Sequence, residues 1–195
     1  MTAQIAALAA GEELIDPATF AAFFSNTAGE TQRRGPLPAP AVLEAEIDTS
    51  ASRSEATRLA VRLARAYCEA AAVFLVHRGI VQGIAAEGCA GRPETALFPR
   101  AMPSVFSGVV ASREIFRGAP PERTLERRVL RALGREHVRQ IAILPGAVGG
   151  RVVTLLYADN GAEPLGDTAL AALGAVAARL AAAYERLILA RKLAA

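Results

Sequence analysis

The last third of the chain constrains the fold most. Two short apolar runs, residues 139–144 and 151–157, flank a Pro/Gly-rich segment at 145–150, and Asp159-Asn160-Gly161 then marks a turn. A helical pattern follows, capped by Asp167 and running to about Leu193. The pair of runs predicts a β-hairpin. Its second strand, with Val152, Val153, Leu155 and Leu156, is apolar at nearly every position, as expected of a strand covered on both faces. On the helix, Leu170, Leu173, Ala177, Leu180, Tyr184 and Leu187 recur at spacings of three and four, a heptad seam.

The segment before it repeats the theme. Ser52-Arg-Ser-Glu55 fits a capping box. The helix it opens buries Ala56, Leu59, Ala60, Leu63, Tyr67 and Ala70 on one stripe and turns Arg58, Arg62, Arg65 and Glu69 to solvent. Residues 71–77 and 80–86 predict two strands joined at Arg78-Gly79. Gly83, Gly88 and Gly91 mark a bulge and a loop running through Arg92-Pro93. Ser104 caps a helix over roughly 105–116 that stops at Gly118, and a second helix spans 124–133 up to Gly134. At the front, residues 1–24 predict one or two short helices around Pro17, and 25–40 a linker. The expected organisation is an N-terminal helical arm and Pro/Gly/Arg linker over 1–50, then one domain over 51–195.

The expected class is α+β: an antiparallel sheet with the N- and C-terminal helices on one face and a helical and loop insert on the other. Hydrophobic residues make up 52% and charged ones 21%, a balance that builds a core. The net charge of +3 lacks the basic stripe of a nucleic-acid binder, so no nucleic-acid partner is expected. Lys192 is the only lysine, which excludes a P-loop. Two cysteines without C-x-x-C and two histidines, His77 and His137, leave no expected metal site or disulfide framework. The start lacks a basic n-region and no apolar run reaches 18 residues, so neither a signal peptide nor a membrane partner is expected, and the location expected is cytoplasmic.

The terminal motif, Ile143-Leu144-Pro145 followed by Gly150-Arg-Val-Val-Thr-Leu-Leu-Tyr157-Ala-Asp-Asn160, resembles the close of GAF domains, and the likeness extends over residues 51–193. PAS domains, which have a similar sheet, are the alternative. The GAF resemblance implies a bacterial signalling or regulatory domain with a small-molecule pocket between sheet and insert. It also implies a homodimer through the first and last helices, which would place Leu59, Leu63, Leu173, Leu180, Tyr184 and Leu187 at the interface. The Asn-Lys motif of cyclic-nucleotide-binding members is absent, and neither Cys68 nor Cys89 has the adjacent histidine of bilin-binding members. No cofactor is therefore expected, and no catalytic group is assigned.

The pocket candidates beneath the 88–118 insert are Glu87, Cys89, Arg92, Ser104, Ser107 and Arg113, although surface or capping roles also account for them. Cys89 carries a further reading, since a GAF relative reduces free methionine sulfoxide with cysteines in a comparable region. Three functions thus stand open: a ligand-binding, dimerising regulatory domain with a protein partner in a signalling pathway; a pure interaction module without ligand; and a thiol reductase using Cys89.

Overall fold

The computed structural model describes residues 38–193, so the expected helices of 1–24 and most of the 25–40 linker lie outside the described residues. The elements are α1 (Pro40–Thr49), α2 (Arg53–Ala64), β1 (Ala70–His77), β2 (Ile80–Glu87), a 3₁₀ turn (Pro93–Thr95), β3 (Leu97–Pro99), α3 (Val105–Ser112), β4 (Phe116–Gly118), α4 (Thr124–Leu133), β5 (Ile141–Val148), β6 (Arg151–Asp159) and α5 (Asp167–Leu193). One antiparallel sheet has the order β3-β2-β1-β6-β5-β4. Its two hairpins meet in the middle, where Ala70–Leu75 of β1 pair with Thr154–Asp159 of β6.

Both hairpins follow from local chemistry. Arg78 and Gly79 (φ 44° and 82°), like Gly149 and Gly150 (φ 54° and 76°), place two residues in the left-handed region, which suits a two-residue turn between twisted strands. The bulge expected near Gly83 is present: the β1–β2 register slips between Val73 and Phe74, leaving Ile84 unpaired. A Cβ on Gly83 would lie 2.2 Å from the Pro93 carbonyl oxygen, so only glycine lets the 3₁₀ turn approach β2 this closely.

α2 and α5 cover one face of the sheet, α2 over β1 and β2 and α5 over β5 and β6. The reciprocal cap at α2 forms as expected: Ser52 Oγ accepts from the Glu55 N–H at 3.2 Å, and Glu55 reaches back to the Ala51 N–H at 2.8 Å. α1 rests on both helices, with Leu43 and Ile47 fully buried and Arg179 of α5 pairing with Glu44 and Asp48. The other face carries the insert between β2 and β5. Alternation sorts the strand residues: Phe74, Ile143, Leu155 and Tyr157 enter the insert-side core, and Leu144 faces Gly174 of α5. β6 is buried along nearly its whole length, as its composition predicts.

Four local expectations are corrected. Residues 40–49, which fall in the arm and linker expected over 1–50, form a helix packed on α2 and α5, so the packed unit begins before residue 51. α3 stops at Ser112, where Arg113 takes φ 62°, because Phe116–Gly118 are drawn into the sheet against Ile141–Ile143. β5 continues through Pro145 to Val148 instead of turning at 145. Pro145 is tolerated because β4 pairs no further than Ile143, leaving no ladder partner on that side for the missing N–H. Asp167 is the first residue of α5, and its carboxylate holds Arg117 rather than capping the helix.

Candidate functional site

The space between sheet and insert, where the resemblance implies a pocket, is filled by the chain's own side chains. Phe106 of α3 packs against Phe74 of β1 with ring centroids 5.1 Å apart, and edge-on against Phe98 of β3 at 5.5 Å. Val129 and Leu133 of α4 and Tyr157 of β6 complete the cluster, all essentially inaccessible. Three aromatic rings at van der Waals contact leave a close-packed interior.

An open hollow of about 610 Å³ lies instead at the start of α3, lined by Arg100, Pro103, Ser104, Ser107, Gly108, Val110, Ala111 and Arg123. The two serines there are committed to the helix. Ser104 Oγ accepts from the Ser107 N–H at 3.1 Å, and Ser107 Oγ accepts from the Ser104 N–H at 2.9 Å, a reciprocal cap. Glu126 of α4, 1% exposed, accepts from the Val105 N–H at 2.9 Å and so ties the insert's two helices together. Its second oxygen has no hydrogen-bond partner among the described residues.

Of the six pocket candidates, only Ser104 and Ser107 share this hollow. Glu87 ends β2 and is half-buried, Arg92 is exposed before the 3₁₀ turn, and Arg113 is the exposed left-handed residue after α3. Cys89 is half-buried against the insert-side core, with Sγ 3.9 Å from the Ala71 carbonyl oxygen. Burial, reinforced by the Asp159 charge, pushes its thiol up to about 11. Cys68 is buried, donates to the Ala64 and Ala70 carbonyls at 3.2 and 3.3 Å, and is pushed up to about 12, again chiefly by burial. Neither thiol supplies a thiolate near neutrality.

One polar cluster was invisible in the sequence. Asp159, wholly buried at the end of β6, accepts from the Tyr157 hydroxyl and the Gly161 N–H, both at 2.8 Å, and from Arg135 Nε at 3.1 Å. Arg135 also pairs with Glu69 at 2.8 Å, and Asn160 accepts from the Glu69 N–H at 2.8 Å. The hydrogen bond that Arg135 donates to Asp159 raises the Arg135 pKa, and burial raises that of Tyr157. Each oxygen of Asp159 is occupied by the chain itself, so the cluster clamps the end of α4 to the central strands. Among the described residues, no three His, Cys, Asp or Glu side chains are grouped to hold a metal ion, and no helix is long and apolar enough to cross a membrane.

The proposed interface residues are placed differently from the expectation. Leu59, Leu63, Leu173, Leu180 and Tyr184 are buried within a single chain, and the Tyr184 hydroxyl lies 2.7 Å from Thr57 Oγ1. Leu187 is half-buried. Most of the heptad seam is therefore the stripe by which α5 docks on its own sheet and on α2. The outward face of α5 carries Ala171, Ala175, Ala178, Ala182 and Leu189, all exposed.

No protein-family profile matches the sequence, and no curated protein matches it either. Solved structures do. Residues 122 to 287 of a methyl-accepting chemotaxis protein superpose with a TM-score of 0.65 at 20% identity, covering 75% of this chain and 97% of that one. The GAF domain of a phosphoenolpyruvate-protein phosphotransferase from Coxiella burnetii gives 0.63 at 17% identity, covering 80% and 95%. The free methionine-R-sulfoxide reductase of Neisseria meningitidis, solved with its substrate, gives 0.62 at 14% identity, covering 84% and 98%. With its six-stranded antiparallel sheet, helices on one face and insert on the other, the chain has the fold of a GAF domain.

Proposed function

We propose that this chain is a non-catalytic, cytoplasmic signalling or regulatory domain that works through its helical layer, as a homodimer and in contact with a protein partner. The observation that carries this reading is the filled interior: Phe74, Phe98 and Phe106 occupy the space a small molecule would need beneath the insert. Similarity to a chemotaxis-protein segment and to a phosphotransferase GAF domain supports the signalling setting. Reductase chemistry at Cys89 is disfavoured by a thiol held protonated, and Cys89→Ser is expected to change no sulfoxide reduction. Light scattering at micromolar concentration tests the association, with a dimer expected; a clean monomer would refute it.

A second reading keeps a ligand but moves it to the open hollow, where Arg100 and Arg123 flank the capped start of α3. Mass spectrometry of molecules that co-purify, with a thermal-shift screen, tests that reading. A bound compound displaced in the Arg100→Ala, Arg123→Ala variant would establish it.

A further inference from the structure

The outer side of the insert concentrates positive charge that folding does not use. Arg123, at the start of α4, and Arg127, Arg128 and Arg131 within it are exposed, while Leu125, Val129, Leu130 and Leu133 turn inward. Arg123, Arg127 and Arg131 follow at intervals of four and form one ridge. Like charges at that spacing oppose one another. Arg123 is also the N-cap of α4 and makes no side-chain hydrogen bond to the helix. Ser, Thr, Asp and Asn suit that position, and a cation there meets the positive end of the helix dipole. Arg131 pairs with Glu136, but among the described residues Arg100, Arg123, Arg127 and Arg128 have no acidic partner.

We infer that this ridge, together with the hollow beside it, docks an acidic segment of a protein partner in extended form. This deepens the protein-partner reading above and rests on it. Arginines four apart on a helix lie about 6 Å apart along its axis at 1.5 Å per residue, and alternate side chains of an extended strand repeat every 6.6 Å or so. A segment with acidic residues at every second position therefore keeps step with Arg123, Arg127 and Arg131. The hollow of about 610 Å³, which Arg100 and Arg123 both line, has room for a further carboxylate between two guanidinium groups.

The surroundings fix the arrangement and its extent. Glu126, on the inner side of α4, accepts from the Val105 N–H, so ridge and hollow are held together before a partner arrives. Glu122 and Glu136 stand exposed beyond the two ends of the ridge and would repel a longer polyanion. Among the described residues no aromatic side chain is exposed for a nucleic-acid base to stack on. A short acidic peptide fits these limits.

Fluorescence anisotropy with a labelled twelve-residue peptide of alternating glutamate and alanine tests the docking. Binding is expected, at least tenfold tighter than that of the counterpart with glutamine for glutamate. Arg123→Asp, Arg127→Glu is expected to weaken binding at least tenfold while raising the thermal midpoint, because it supplies a cap and removes repulsion. Arg58→Glu, Arg62→Glu, the same change of charge on α2, should leave the affinity within about twofold. A midpoint that falls would make the arginines structural, and equal weakening by the α2 pair would make the binding a matter of net charge; either overturns the ridge. Tighter binding of a single-stranded oligonucleotide of equal charge, or displacement of the peptide by equimolar citrate, does the same. Retention of proteins from a lysate of the source cells separates the two readings. A protein held equally by the wild-type chain and by Arg123→Asp, Arg127→Glu overturns the ridge alone, whereas no retained protein and no peptide binding overturn the partner reading as well.

Discussion

Phe106 bridges the sheet and the insert, and its truncation tests whether the interior is packed. Phe106→Ala is expected to lower unfolding stability by about 3–5 kcal/mol in denaturant titration; a loss under about 1 kcal/mol would mean that the site is slack. Asp159→Ala leaves the largely covered Arg135 without its main partner and is expected to cost about 3–5 kcal/mol by the same measurement. His77 closes β1 half-buried, and burial together with Arg78 and Arg53 lowers its pKa. Its folded pKa lies below its unfolded value near 6.5, so the folded chain takes up its proton less readily. Stability should fall as pH drops through 6.5, and His77→Gln should flatten that slope in melts between pH 5.5 and 8. Short-range chemistry at this scale was legible: the caps at Ser52 and Ser104 were written in three or four consecutive residues. The Asp159 cluster was not, because Arg135 lies 24 residues from Asp159 and Glu69 lies 91 from Asn160, and no local pattern records such pairings.

At the level of elements, the heptad series on α5 was legible as a buried stripe, but not what buries it. A seam against the chain's own sheet and a seam against a second copy have the same spacing, and only the position of α2 and β5 decides between them. The outcome is measurable as an asymmetry. Leu180→Ala is expected to destabilise by about 2–5 kcal/mol, whereas Ala178→Ser on the outward face should stay within about 0.5 kcal/mol in the monomer; equal effects would place the packed stripe elsewhere. The end of α3 was misread for a related reason. Residues 113–116 look helical by composition, yet the free edge of β5 recruits Phe116 as a strand residue. The helix α1 was overlooked because only Leu43 and Ile47 mark its buried side, amid prolines that resemble a linker.

At the scale of the whole molecule, the order helix, hairpin, insert, hairpin, helix was enough to give the α+β class and the sheet with its two covers. The extent of the folded unit was not, since α1 depends on contacts with residues some 130 positions away. A chain starting at residue 51 loses two fully buried aliphatic side chains and the partners of Arg179. It is expected to be about 3–6 kcal/mol less stable than one starting at residue 38, a difference that thermal melts would register; equal midpoints would show α1 to be dispensable.

The sheet ends on both sides in strands of only three residues, β3 closing at Pro99 and β4 centred on Arg117. Past β4 the backbone of β5 stays open on that side from Leu144 to Val148, where Pro145 interrupts the row, and on the short outer strands Pro99 and Arg117 interrupt it further. Such a molecule resists strand-to-strand aggregation while folded, so concentrated solutions should reach discrete oligomers built from helices before they reach fibrous or amorphous deposits.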